Sequence, residues 1–139
     1  MSNRIPDKYV RKAFLTLLAG IGTPVYETKV PKSVQPPPAQ RVLISTQNNS
    51  QHDTSKCGHL WYHSILLDII SENDNGFSQR DKVDDILDTI NQIIDVQADI
   101  AVDGFTLYNT QVVDIHDMDL DTATKFINRK LVRYQFLIA

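Results

Sequence analysis

The carboxyl-terminal part of the chain constrains the fold most, because long extended stretches alternate there with one strongly amphipathic helix. Alternation of side chains predicts a strand over about 58–70, which ends at the turn-forming letters ENDNG. Two more strands are predicted over Phe105–His116 and Lys125–Ile138, with Asp103-Gly104 as the turn before them. Such an order predicts an α+β fold, an antiparallel β-sheet with helices packed on one face. The second half of the strand at 58–70 is apolar on both faces, which favours a central strand covered on both sides.

Two stretches repeat apolar residues every three or four positions, as helices do when one face is buried. The first predicted helix runs from about Pro6 to Ala19, and Gly20 and Gly22 end it. The second follows Ser78, whose hydroxyl is suited to cap its first turn. Its predicted buried stripe consists of Val83, Ile86, Leu87, Ile90, Ile93 and Ile94.

The remaining segments divide into short strands and loops. Strands are predicted over Val25–Thr28 and Arg41–Gln47. Residues 29–40 form a Pro-rich loop or extended arm, because proline cannot donate to a β-ladder and favours polyproline geometry. Residues 47–57 are predicted to be a polar loop. At 139 residues, with 42% hydrophobic and 22% charged residues, the chain is expected to form a single domain over 1–139.

Composition and motifs exclude several classes of function. A net charge of −3 argues against broad binding to nucleic acid, which needs a basic surface. Cys57 is the only cysteine, so no internal disulfide can form. No targeting segment is recognisable, and no apolar run reaches the length that a membrane-spanning helix needs. Because no Walker motif, GxGxxG or HExxH occurs, we expect neither enzyme activity nor a cofactor.

Two sets of residues could bind a metal. His52, Cys57, His59 and His63 lie within twelve positions and are of the types that zinc prefers, but they do not form paired zinc-ligand spacings. The second set, Asp117, Asp119 and Asp121, matches the first positions of a calcium loop. That loop would also need glycine where Thr122 stands and glutamate where Asn128 stands, so a solvated acidic loop is favoured.

Association with other proteins is the remaining interpretation. Trp61 and Tyr62 are neighbours on one strand and so face opposite sides, which allows one ring to be buried and the other to remain available. Aromatic and arginine side chains dominate the energetics of many interfaces. The predicted contact residues are Pro36, Pro37, Pro38, Trp61, Asp117, Asp119, Asp121, Arg129 and Arg133.

The order of these segments resembles that of the tail-completion or tail-terminator proteins of tailed bacteriophages. The resemblance covers LLAGIGTPVYETKVP, VQPPPAQRVLI, HLWYHSILLDII, RDKVDDILDTINQII and the pair DGFTLYNTQVVDI and INRKLVRYQFLI. It implies a structural virion protein, assembled in the host cytoplasm, that forms a ring at the head–tail junction or tail top. The ring would be a hexamer or larger and would join connector or portal-side proteins to the tail. DNA would pass through its lumen without sequence-specific binding, and no membrane would be involved.

Three alternatives remain open at this point. One is a ring protein of a short tail, stacked between portal and tail hub. Another is a small zinc-binding protein that uses His52, Cys57, His59 and His63. The third is a monomeric chaperone or adaptor, which would stay single and bind a defined partner.

Overall fold

Most of the chain forms one β-sheet with two helices on one of its faces. The computed structural model describes residues 5–53, 60–74, 78–96, 100–102 and 104–139. The helices are α1 (Asp7–Leu17) and α2 (Arg80–Val96). The strands are β1 (Val25–Glu27), β2 (Gln40–Asp53), β3 (Leu60–Asp74), β4 (Ile100–Val102), β5 (Phe105–Asp117), β6 (Leu120–Asp121) and β7 (Lys125–Ile138).

The strands lie in the order β1-β2-β3-β7-β5-β4, and β6 pairs with β7. The central pair, β3 and β7, is antiparallel and runs without a register shift from Trp61 opposite Ile138 to Asp74 opposite Lys125. The last strand therefore inserts between two strands that precede it in sequence. β1 and β2 are the one parallel pair among the described strands, so the sheet is mixed. The predicted α+β class is confirmed.

Both helices cover the same face of the sheet, because each contacts side chains of β7 that share one face. Phe14 of α1 stacks on Phe136, with 5.9 Å between ring centroids. Asn91 of α2 accepts a hydrogen bond from the Tyr134 hydroxyl at 3.3 Å. The residues buried in this shared core are Val10, Phe14, Leu18, Val42, Ile44, Ile65, Leu67, Ile69, Val83, Ile90, Ile94, Ile100, Val102, Phe105, Leu107, Val132, Tyr134, Phe136 and Ile138. Of the stripe predicted for α2, Val83, Ile90 and Ile94 belong to this core, and Ile86 and Leu87 pack partly buried against it. Ile93 is only half-buried and does not belong to it.

The prediction that β3 is covered on both faces by other elements is wrong for the face without helices. Charged side chains of the neighbouring strands bury Ile70 there. Ile70 is 5% exposed although neither described helix covers it. In the register it lies between Arg41 on β2 and Arg129 on β7. Arg129 pairs with Asp68 at 2.6 Å, and Arg41 pairs with Glu72 at 2.6 Å. The aliphatic stems of long charged side chains can cover apolar surface in this way.

The predicted polar loop over 47–57 is wrong for its first part, because β2 continues to Asp53. Gln47 lies opposite Ile65, and the pairing extends to Asp53 opposite Leu60. A β-ladder is made by backbone groups, so polar side chains do not prevent it when a long partner strand is in place. Residues 54–57 lie outside the described residues.

The Pro-rich segment connects β1 to β2. Because these two strands are parallel neighbours, the segment must run back along the sheet before β2 begins. A turn interrupts the extended geometry that the sequence predicts, with the Val34 N–H donating to the Pro31 carbonyl at 3.0 Å. The segment then joins the sheet where the Glu72 N–H donates to the Ala39 carbonyl at 2.8 Å. Pro36 and Pro37 are exposed.

Candidate interaction surface

At each lateral edge of the sheet, a long strand has no neighbouring described strand over much of its length. β4 borders β5 only from Phe105 to Leu107, so the stretch from Tyr108 to Asp117 has no neighbour beyond β5 among the described strands. We call 108–121, which includes β6, the β5 edge. On the opposite side, β1 borders β2 only from Val42 to Ile44. The stretch 45–53, here called the β2 edge, has no described strand beyond it.

The β5 edge carries exposed apolar side chains. Val112, Val113 and Ile115 are 41%, 51% and 46% exposed, and Met118 and Leu120 are 49% and 50% exposed. Among the described residues, the other large exposed hydrophobic side chains are Ile5 and Tyr62. Open strand edges are usually protected by lysine, proline or a covering segment, because unpaired backbone groups recruit other chains. An open edge lined with apolar side chains therefore indicates a contact surface.

Backbone irregularities bend this strand where the apolar residues begin. Register shifts occur between Tyr108 and Gln111 and between Val112 and Asp114. Asn109, inside the first shift, has a φ of 55°, a left-handed conformation that asparagine adopts more readily than most residues. Val113 is the extra residue of the second shift, and such bulges bend and twist an edge strand.

A cleft separates α2 from this strand and explains why Val112 is not buried. Val112 lies opposite Tyr134 and thus on the helix side of the sheet. Between them and α2 is a cavity of about 410 Å³, lined by Asn91, Ile94, Asp95, Asn109, Thr110, Val112 and Tyr134. α2 packs over β3 and β7 and leaves this part of β5 uncovered. Burial raises the pKa of Tyr134 to about 12, so its hydroxyl stays protonated and keeps its hydrogen bond to Asn91.

Asp119, one of the predicted contact residues, is held by internal hydrogen bonds. Its Oδ2 accepts from Arg80 at 2.8 Å, and its Oδ1 accepts from the Asn128 side chain at 3.2 Å and the Arg129 N–H at 3.3 Å. Burial acts to raise the pKa of Asp119, but these hydrogen bonds outweigh it and lower that pKa. The carboxylate thus fastens the end of the β5 edge to α2 and β7.

Asn128 completes this connection from inside the fold. It is 1% exposed, and its Oδ1 accepts from the backbone N–H of Gln79, just before α2, at 2.8 Å. Its amide donates to Asp119, so one buried side chain joins the start of a helix to the β5 edge. Sequence reasoning assigned no such role to Asn128. The available signal was an amide in the middle of an otherwise apolar and basic strand.

Asp117 and the two arginine candidates are also engaged within the chain. Lys130 reaches Asp84 of α2 at 2.6 Å and Asp117 at 3.3 Å, and the hydrogen bond to Asp84 is the main cause of its raised pKa. Arg129 pairs with Asp68, and that hydrogen bond raises the pKa of the guanidinium. Arg133 donates to the Ser64 hydroxyl at 3.1 Å.

The structure separates the remaining predicted contacts. Trp61 is partly buried against the core on the helix side, whereas Tyr62 on the other face is 38% exposed. Asp121 is exposed at the end of β6. Pro36 and Pro37 are exposed and Pro38 is partly buried, in the segment before β2. The candidates therefore lie in several separate places, and Asp117, Asp119 and Asp121 are the ones that belong to the β5 edge.

His63 is buried in a polar cluster beside the core. Its ring stacks on Phe136 with 5.2 Å between centroids, and its Nε2 lies 3.0 Å from the Gln47 amide nitrogen. Arg11 donates to the Gln47 side-chain oxygen at 2.8 Å, so the amide nitrogen must donate toward His63 Nε2. The ring is then neutral with its proton on Nδ1, which lies 3.8 Å from Asp7 Oδ1. Burial lowers the pKa of His63 to about 4, against a smaller opposing effect of Asp7.

This arrangement makes stability depend on pH. Since the pKa of His63 is lower in the folded chain than its ordinary 6.5, the unfolded chain binds more protons between these values. Stability should therefore fall as the pH falls from 6.5 to 4, by on the order of 3 kcal/mol. The His63→Gln variant should show a flatter profile, measured by urea unfolding at pH 7.0, 5.5 and 4.5. An unchanged slope in that variant would contradict the assignment, and Lys12→Gln on the exposed side of α1 serves as control.

The zinc hypothesis is only partly covered by the described residues. Cys57 and His59 lie outside them, and His52 is described only as part of β2. His63 is engaged with Gln47 and Phe136. Within the part of the chain that the structure describes, no group of three His, Cys, Asp or Glu side chains is arranged to hold a metal ion. Neither described helix combines the length and apolar character needed to cross a membrane.

The apolar residues of the β5 edge were missed from the sequence. In the letters QVVDIHDMDL, simple alternation would place Val112 on one face of the strand and Val113 and Ile115 on the other. A strand buried on one face needs them on that face alone. This excess was the signal that could have identified the edge.

Comparison with known proteins supports the fold. No known protein family matches the sequence, and no curated protein matches it. Among solved structures, a chain described as "Virion of native gene transfer agent (GTA) particle" matches 94% of this chain and 90% of its own length, with 16% identity and a TM-score of 0.54. A second solved chain matches 96% of both chains at 12% identity, but its TM-score of 0.48 is too low to support an argument. The first match shows that this fold occurs in a solved protein of very different sequence.

Proposed function

We propose that this chain is a structural virion protein of a tailed phage or phage-like particle, and that its copies form a ring at the head–tail junction or tail top. The ring joins connector or portal-side proteins to the tail, as a tail-completion or tail-terminator protein would. The observation that carries this proposal is the open β5 edge with its exposed Val112, Val113, Ile115, Met118 and Leu120. Such a surface is suited to a neighbouring chain.

The fold likeness supports the same role, since the similar solved chain is described as coming from a gene transfer agent virion. The arrangement of the sheet supports a ring in particular. A ring requires heterologous contacts, in which two different surfaces of each subunit meet on its neighbours. The β5 edge and the β2 edge are two different surfaces on opposite sides of one sheet. Predicted contacts such as Pro36 and Pro37, which are exposed, remain available for the neighbouring virion proteins.

The purified full chain should form rings as its concentration rises. Light scattering after size exclusion should give a mass that is a fixed multiple of 15.8 kDa, and negative-stain electron microscopy should show annular particles with a central opening. Symmetry averaging of those particles gives the number of subunits. A chain that remains monomeric at millimolar concentration, and also when mixed with portal and tail proteins of its particle, would refute the ring.

A further inference from the structure

We infer that the ring is closed by strand pairing, in which the β5 edge of one subunit lies antiparallel to the β2 edge of the next. This inference rests on the proposed ring and adds which segments join. The occupant of the β5 edge is thus a second copy of this chain. The sheet would continue from one subunit into its neighbour through backbone hydrogen bonds.

Strand direction fits this pairing. From β2 through β3 and β7 to β5, each strand is antiparallel to the one before it, so β2 and β5 run in opposite directions. If neighbouring subunits keep the same orientation, the β5 of one and the β2 of the next are antiparallel. Both helix layers then stay on the same side of the continued sheet. Rotation of each copy about an axis roughly along the strands would close such a sheet into a ring.

The two open stretches also lie at the same height in the sheet. Through the ladder, Gln111 of β5 and Asn48 of β2 both align with Gln135 of β7, and Val112 and Gln47 both align with Tyr134. Each edge strand bulges at this height, between Val112 and Asp114 on β5 and between Ile44 and Gln47 on β2. The two edges therefore bend at matching positions.

Charge favours pairing between unlike edges. The β5 edge carries Asp114, Asp117 and Asp121, so two β5 edges placed together would bring acidic groups into proximity. Asp53 is the acidic residue of the β2 edge and lies at its end, opposite Leu60. The part of the β2 edge that is level with Tyr108–Asp114 carries uncharged polar side chains: Ser45, Thr46, Gln47, Asn48, Asn49 and Ser50. They can accept the acidic edge without like-charge repulsion.

Cysteine cross-linking tests the pairing directly. Gln111, Asn48 and Ser50 are exposed, and by the register they belong to the helix-free face. In a Cys57→Ser background, chains with Gln111→Cys plus Asn48→Cys, or Gln111→Cys plus Ser50→Cys, are oxidised at ring-forming concentration. At least one pair should give a ladder of linked species, about ten times more abundant than in either single variant, because a disulfide needs Cα atoms within about 7 Å.

Mixing two single-cysteine variants shows whether the β5 edge of one chain contacts the β2 edge of another. Gln111→Cys protein mixed with Asn48→Cys or Ser50→Cys protein should give linked dimers and no longer ladder, since each chain has one cysteine. Gln111→Cys with Asp88→Cys on the exposed face of α2 is the control and should not link.

The outcomes separate the two proposals. Rings that form without a ladder from either pair would overturn the strand pairing and leave the proposed ring intact. Dimers from Gln111→Cys alone would show pairing between like edges and would also overturn it. A chain that stays monomeric both alone and when mixed with the portal and tail proteins of its particle refutes the proposed function itself.

Discussion

A chain that carries Val113→Lys and Ile115→Lys should lose self-association while its fold is retained. Both side chains are about half exposed on the β5 edge, at 51% and 46%. Lysine on an open strand edge is the device by which natural sheets avoid pairing, because its charge would have to be desolvated in the contact. The expected loss is about 100-fold in the association constant, about 3 kcal/mol.

Thermal stability is the essential second readout for this variant. Substitution of exposed side chains usually changes stability by less than about 0.5 kcal/mol, so the melting temperature should be nearly unchanged. The matched control is Thr89→Lys with Gln92→Lys, which adds the same charge on the exposed face of α2. Rings that survive in the edge variant, or are lost equally in the control, would show that the β5 edge is not the contact.

The second large effect concerns stability and should arise from Asn128→Leu. Leucine has a similar volume, so the substitution removes hydrogen bonds with little change in packing. The Gln79 N–H and the Asp119 carboxylate would each lose a partner, at 2.8 Å and 3.2 Å. Because an unsatisfied buried polar group costs about 1–3 kcal/mol, we expect a loss of about 3 kcal/mol in the free energy of unfolding.

Urea unfolding at pH 7 measures this loss, with Gln92→Leu on the exposed face of α2 as the control, expected to change stability by less than about 0.5 kcal/mol. A change below about 1 kcal/mol in Asn128→Leu would show that the connection contributes little. Hydrogen exchange of the backbone amides in 117–121 should also increase in this variant, because Asp119 anchors that stretch through Asn128.

Local sequence patterns were sufficient for the two helices and for the long strands β3, β5 and β7, whereas the short strands β4 and β6 were not predicted. The last strand was predicted over Lys125–Ile138 and is found there, because its alternation follows the two faces of a strand. The first helix and the stripe of α2 were likewise predictable from their apolar spacing. The end of β2 was not, since polar residues such as Asn48 and Asn49 extend a strand only when a partner strand is long enough to pair with them.

The candidate surface was less accessible to prediction than the elements. Asp119 and Arg129 were predicted as contacts, but each has a partner within the chain that is distant in sequence, Arg80 at 39 positions and Asp68 at 61. Whether a charge faces solvent or a partner depends on contacts that local patterns do not encode. Val112 and Ile115 have apolar side chains on the helix side of the sheet, and only the position of α2 shows that they are left uncovered.

The sequence by itself determined the two helices, the long strands β3, β5 and β7 and the α+β class, because the apolar periodicity that predicts them lies within a few neighbouring residues. Only the tertiary structure decided that β7 lies between β3 and β5, and that β5 and β2 are left as open edges. The physical reason is that strand order depends on pairing between residues far apart in the chain, as between Trp61 and Ile138, where long-range packing selects among many possible neighbours.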